Sequence, residues 1–229
     1  MSLSIGIVGL PNVGKSTLFN ALTQSAQAEA RNFPFTTIEP NVGVVPVPDE
    51  RLDLLAQTEN SQNIVPATVK FIDIAGIISG AHKGEGLGNK FLSHIREVNA
   101  LCLIARAFEN TDITHVAGTI SPKNDIETIF SELQLADLQT IATVKLRLES
   151  TAKSTGKEGK EAQQVLQVIS RIEKALNEGK LASTVEVDSQ EKKLLKSHLP
   201  LLTLKPLMIV FNVNEEDAGE NIEDLKATH

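Results

Sequence analysis

Four residues near the start of the chain, Gly9, Gly14, Lys15 and Ser16 in the run GLPNVGKST, fit the spacing G-x-x-x-x-G-K-[ST]. Glycines at that spacing let backbone N–H groups turn toward phosphate oxygens, an ammonium offsets their charge, and a hydroxyl ligates a hard cation. The run directly follows the apolar stretch LSIGIVG at 3–9 and opens a helix-like segment, Lys15 to Gln24, whose N-terminus contributes further donors. The expectation is a nucleoside triphosphate cradled by Asn12, Val13, Gly14, Lys15, Ser16 and Thr17, with Lys15 at the β and γ phosphates and Ser16 on Mg²⁺.

Two further pieces follow in the order that a nucleotide switch requires. FIDIAG sets Asp73 at the end of an apolar run, where its carboxylate can hold the magnesium ion through water, and leaves the Gly76 amide for the γ-phosphate. Between Ser16 and Asp73, NFPFTTIEPNVG offers the hydroxyls of Thr36 and Thr37 to close over the metal. The position after Asp73-x-x-Gly76 is Ile77 where a water-orienting glutamine would be expected, so slow intrinsic hydrolysis follows. His115, in the polar stretch ENTDITHV after an apolar run, is a candidate to orient that water; His82 and His94 flank KGEGLGN, which reads as a second switch.

The base-reading end falls on FNVNEED. A guanine reader has Asn-Lys-x-Asp there, its aspartate accepting from guanine N1–H and the amino group. Here Asn212 is kept for purine N7, Val213 stands in the lysine position and Glu215 replaces the acid with a longer one. Selection for guanine is therefore expected to weaken.

These groups must be positioned by strands and helices, and the apolar pattern supplies both. Strand-length runs lie at 3–9, 41–47, 67–76, 100–108 and 206–213, with helix-like segments at Lys15 to Gln24, Asp49 to Gln57, N-capped by Asp49, and Leu87 to Val98. That alternation predicts an α/β domain with a mostly parallel sheet and helices on both faces. From about Asp125 to Leu199 the strand signal stops. Ile126, Ile129, Phe130, Leu133, Leu138 and Ile141 mark one helix of about 25 residues, roughly 38 Å long. Ala162, Val165, Ile169, Ile172 and Leu176, stepping by 3, 4, 3 and 4, mark the seam of a short coiled coil. STGKEGKE between them suits the tip of a helical hairpin, and an arm of this kind suits contact with a partner. The expected organisation is residues 1–124 as the first part of the nucleotide domain, 125–199 as an inserted helical arm, and 200–229 as its base-recognition strand.

Composition bounds what the chain does. The 229 residues carry a net charge of −7, no Trp or Tyr and eight Phe, which argues against direct DNA binding or broad attraction to RNA and leaves few platforms for stacked bases. The single cysteine, Cys102, sits in ALCLIARAF and reads as a buried core thiol in a reducing compartment. The start has no basic region before its apolar run, and no run reaches about 18 apolar residues, so a cytoplasmic protein without a membrane span is expected.

GLPNVGKSTLFNALT, NFPFTTIEPNVGVVPVPDERLD, DIAGIISGAHKGEGLGNKFLSHIRE, AFENTDITHV and NVNEED together resemble the YchF group of Obg-related ATPases, P-loop NTPases with a G-domain-like fold, over essentially the whole chain. The resemblance implies a coiled-coil arm inserted in the nucleotide domain, Thr37 as the second magnesium hydroxyl, and ATP preferred over GTP with adenine read by main chain around Val213. It implies a possible K⁺ beside the phosphates on Asn12, a catalytic role for His115, and association with ribosomes in the intact protein. Alternatives are a GTPase of ribosome assembly and a nucleotide-responsive binding module with negligible turnover. Members of the group carry a C-terminal TGS domain, which is expected to be missing from this chain. Only a dozen residues follow NVNEED, so a truncated nucleotide domain with an exposed sheet edge is expected.

Overall fold

The computed structural model describes residues 3–23, 41–74, 87–108 and 120–216, which divide between two compact units. The first unit holds a five-stranded sheet of β1 (Leu3–Val8), β2 (Asn41–Pro46), β3 (Thr68–Asp73), β4 (Ala100–Arg106) and β5 (Leu207–Asn212), in the order β2-β3-β1-β4-β5. β3, β1, β4 and β5 run parallel, and β2 joins antiparallel to β3. The residue types follow this order. Interior β4 buries Leu101 to Ala105 without interruption, as a strand covered on both faces must, whereas outer β2 and β5 leave Val42, Val44, Met208 and Ile209 exposed. The observed strands lie within one to three residues of the apolar runs that forecast them.

Helix α1 (Lys15–Thr23) packs on β1, β2 and β3 through Phe19 and Thr23. Its approach to β2 is so close that a Cβ at Gly43 would run into the Thr23 methyl. Helix α2 (Glu50–Glu59) starts where Asp49 accepts the Arg51 N–H at 3.1 Å, the cap read from sequence, and stops at Asn60 in the left-handed region. Because the parallel strands share a direction, their carboxyl ends gather on one edge of the sheet, with the turn after β1 beside residues 107–108 and 213–216. Ligands of open α/β sheets bind at that edge.

The second unit takes in Ile77–Arg96 and Lys123–Pro206. It contains α3 (Leu87–Glu97) up to Arg96, α4 (Pro122–Thr151) from Lys123, α5 (Lys157–Asn177) and α6 (Ser189–His198). Ile141 and Leu148 of α4 meet Ala162, Val165, Ile169, Ile172 and Leu176 of α5 in one core with Leu195, Leu199 and Leu201. Truncating one such leucine or isoleucine to alanine costs about 2–5 kcal/mol. The anticipated seam is therefore the buried face of α5, but the arm differs from a bare hairpin in three respects. Pro122, preset for a first helical turn, starts α4 earlier than Asp125, and the helix runs 30 residues, about 45 Å. Gly159 lies inside α5 rather than at the tip, and glycine is needed there because a Cβ would meet the Ser154 carbonyl. A third helix, α6, opens on a capping box in which Asp188 accepts from Gln190 and Glu191 while the Glu191 carboxylate accepts the Asp188 N–H at 3.0 Å.

Asp137 ties the middle of α4 to the return segment. Its carboxylate is fully buried and accepts the Leu202 N–H at 2.8 Å, the Thr203 N–H at 2.8 Å and the Thr203 hydroxyl at 2.6 Å. Burial pushes its pKa up, and those three donors, with the charge of Arg96, oppose the shift. No helix among the described residues is long and apolar enough to cross a membrane.

Candidate nucleotide site

The turn after β1 needs its glycines for two separate reasons. A Cβ at Gly9 would stand 2.7 Å from the Ile104 carbonyl oxygen and 2.9 Å from the Val13 side chain. Gly14 has φ +99°, a left-handed value, and a Cβ there would land on the Asn212 side-chain amide. Asn12, at φ 63°, takes a left-handed conformation that asparagine tolerates. Lys15 is buried, and its ammonium donates to the Leu10 carbonyl at 2.7 Å, so it folds back across its own loop. Burial pushes the Lys15 pKa down, and the Asp73 carboxylate opposes the shift.

Ser16, the second residue of α1, donates its hydroxyl to Asp73 Oδ2 at 2.9 Å, across 57 residues of chain. A hydroxyl and a carboxylate from two different elements thus converge beside the phosphate loop. Both are hard oxygen donors, the set that suits Mg²⁺.

At the other end, parallel pairing sets Arg106 of β4 opposite Asn212 of β5, and the Ala107 N–H donates to the Asn212 carbonyl at 2.8 Å. The Asn212 side chain then reaches back to the phosphate loop, donating from Nδ2 to the Val13 carbonyl at 3.0 Å. Between the two ends opens a cleft of about 580 Å³, the size of a small-molecule site. Its phosphate end is lined by Asn12, Gly14, Lys15, Ser16 and Thr17, and its far end by Phe108, Asn212, Val213 and Asn214.

Most of the described residues singled out by sequence therefore meet in one place. Val13 is buried and takes part through its carbonyl. Glu215 departs from expectation: it is exposed in the turn after β5 and is not among the lining residues, because the chain leaves the cleft after Asn214. Thr36, Thr37, Gly76, Ile77, His82 and His115 lie outside the described residues, and His94 falls on α3. Cys102 is a free, buried thiol whose pKa burial pushes up, which suits a core position. Phe108 was missed. Its signal was the end of the ALCLIARAF run, where a strand passes into a turn at the carboxyl edge.

Residues 4–134, more than half of the chain, match the model of the family described as 50S ribosome-binding GTPase. The chain belongs to the 50S ribosome-binding GTPase family. Within this GTPase family it is similar to proteins named Ribosome-binding ATPase YchF. It is 50% identical over 220 residues to the one from Bacillus subtilis, covering 96% of this chain and 59% of that protein. It is 52% identical over 221 residues to the one from Haemophilus influenzae, covering 96% of this chain and 60% of that protein. A solved structure described as the Schizosaccharomyces pombe YchF GTPase superposes with a TM-score of 0.77 at 36% identity, over 99% of this chain and 61% of that one. The chain thus spans about 60% of the length of the relatives it matches. The P-loop fold expected from the motifs is the fold of this family, and the YchF resemblance read from the sequence holds over 96% of the chain.

Proposed function

We propose that the chain is the nucleotide-hydrolysing portion of a ribosome-associated switch, Mg²⁺-dependent and using ATP in preference to GTP. The observation that supports the base preference is the far end of the cleft, where Asn212 is held by the Val13 carbonyl and is followed by Val213 and Asn214, with no carboxylate among the described residues that line it. Guanine would bring N1–H and amino donors to that end without an acid to receive them, and an unmatched polar group of this kind costs about 1–3 kcal/mol. Adenine asks less of side chains there. Its N7 suits Asn212, its edge suits main chain around Val213, and its faces suit Phe108 and Val213.

Ser16 and Asp73 would hold the magnesium ion, with Thr37 as a further hydroxyl. When bound there, magnesium would supply positive charge to the phosphate oxygens. Lys15 exchanges the Leu10 carbonyl for phosphate, the N–H groups around Gly14 orient the same oxygens, and the Gly76 amide serves the γ-phosphate. With Ile77 in place of glutamine, His115 is the group proposed to orient water, and Asn12 is the proposed ligand for K⁺. Association with the ribosome comes from the names of the relatives, and the helical arm is the part of this chain suited to a partner.

A second reading, GTP hydrolysis, has its support in the description of the matching family and of the Schizosaccharomyces pombe structure. Calorimetric titration with non-hydrolysable ATP and GTP analogues at matched Mg²⁺ and K⁺ separates the two. Tighter binding of the adenine analogue is expected, and tighter binding of the guanine analogue would overturn the ATP reading. Multiple turnover stimulated by K⁺ and lost in His115→Ala is expected of the enzyme. Tight binding without phosphate release would mark a binding module instead.

A further inference from the structure

Among the described residues Arg106 is the largest fully buried side chain, with 0% exposure, at the last residue of β4. A guanidinium stays charged at any physiological pH, so its burial is costly unless the surroundings meet its charge and donors. Two of its contacts come from a single residue. Nε donates to the Phe108 carbonyl at 3.1 Å, and the guanidinium carbon lies 4.4 Å from the centre of the Phe108 ring. Phe108 in turn lines the far end of the cleft beside Asn212, Val213 and Asn214, whereas buried Arg106 does not reach it.

We propose that Arg106 is a positioning residue, which clamps Phe108 from behind so that the ring offers its free side as a platform to the purine base. The clamp has two parts, and both fix the ring. The hydrogen bond fixes the main chain that carries it, and the cation over its face fixes its side-chain angle. A ring already held in its binding pose is ordered before the ligand arrives, which is where pre-organisation adds affinity. Arginine is required because a planar guanidinium stacks and donates at once, whereas an ammonium is a compact point charge. Backbone pairing supports the same arrangement, since the Ala107 N–H between the two residues is fastened to the Asn212 carbonyl.

This inference rests on reading the cleft as a purine-nucleotide site, and its test separates the two. Affinities of the full chain for a non-hydrolysable ATP analogue, for its GTP counterpart and for inorganic tripolyphosphate give the share of binding due to the base. Arg106→Lys is expected to lower that base share about five- to tenfold while tripolyphosphate binding stays unchanged. In a Phe108→Ala background the same substitution is expected to have no further effect. Equal loss for nucleotide and tripolyphosphate, additive effects of the two substitutions, or no change would overturn the proposal. Trifluoro-phenylalanine at position 108 tests it without altering Arg106, because fluorine drains the ring face that the cation sits on. A reduced base share is expected, and an equal or larger one overturns the clamp. If the unaltered chain prefers the GTP analogue, the ATP reading fails and the clamp is tested on that analogue. If neither nucleotide exceeds tripolyphosphate, there is no platform and the clamp is refuted.

Discussion

The Asn212 side chain donates to the Val13 carbonyl at 3.0 Å although the two residues are 199 positions apart. One amide thereby joins the end of the last described strand to the loop that faces phosphate. Removing it in Asn212→Ala frees the Val13 carbonyl and is expected to loosen the loop as well as the proposed purine contact. Both adenine and guanine analogues are expected to bind about tenfold more weakly, the cost of roughly one hydrogen bond to a partly buried group. Tripolyphosphate should weaken too. Calorimetry in which only one base is affected would show that Asn212 serves the base alone.

The Ser16 hydroxyl and the Asp73 carboxylate, 2.9 Å apart, set a second expectation. If they share a magnesium ion, chelating Mg²⁺ weakens triphosphate binding to the unaltered chain by about tenfold or more, in line with charge neutralised at the phosphates. Ser16→Ala should bind weakly with Mg²⁺ and show little further loss on chelation. Titrations with and without chelator decide this, and a full chelator effect in the variant would place the ion elsewhere.

Asp137 should be the costliest polar position of the helical unit. Both of its oxygens face backbone N–H groups, so Asp137→Asn turns an amide donor toward a donor. A loss of roughly 2–4 kcal/mol is expected for a buried acceptor replaced in this way. Thr203→Val, which removes only the hydroxyl contact, should cost about 1 kcal/mol. Urea unfolding of the three proteins checks the order.

Glu191 carries a dependence on pH. Its carboxylate lies 2.5 Å from the Arg171 guanidinium and also closes the α6 capping box. The Arg171 hydrogen bond, with the Asp188 N–H, holds its pKa below the usual value. A lowered folded pKa gives stability that is present above the unfolded value, about 4.3, and is lost as the pH falls through the lowered one. Glu191→Gln should therefore melt below the unaltered protein at pH 7, and the gap should narrow steadily in acid. Melting curves at pH 7, 5 and 3.5 measure it.

The phosphate end was legible because its information is local. Gly9, Gly14, Lys15 and Ser16 sit within eight residues, and strand and helix periods on either side fix their orientation. The α5 seam was legible for the same reason. Asp137 was not, since an acid among apolar positions reads as a solvated face until Leu202 and Thr203 come to it from more than sixty residues away. Phe108 read as the tail of a strand, and only the pairing of β4 with β5 turns it into a wall of the cleft. Glu215 was chosen by analogy of position with an acid that contacts guanine, and the turn that takes it outward carries no sequence mark. The short third helix was not anticipated, although the spacing of Asp188 and Glu191 matches a capping box.

The order of the strands also sets a timetable. The phosphate loop is made first, the helical segment from Pro122 to His198 next, and the strand with Asn212 after both. On the proposed reading, a growing chain therefore has its phosphate-binding residues long before its base-binding ones. Purine discrimination would then arise only after the helical segment has been made, so an emerging chain would not respond to a nucleotide before the segment proposed to relay that response exists.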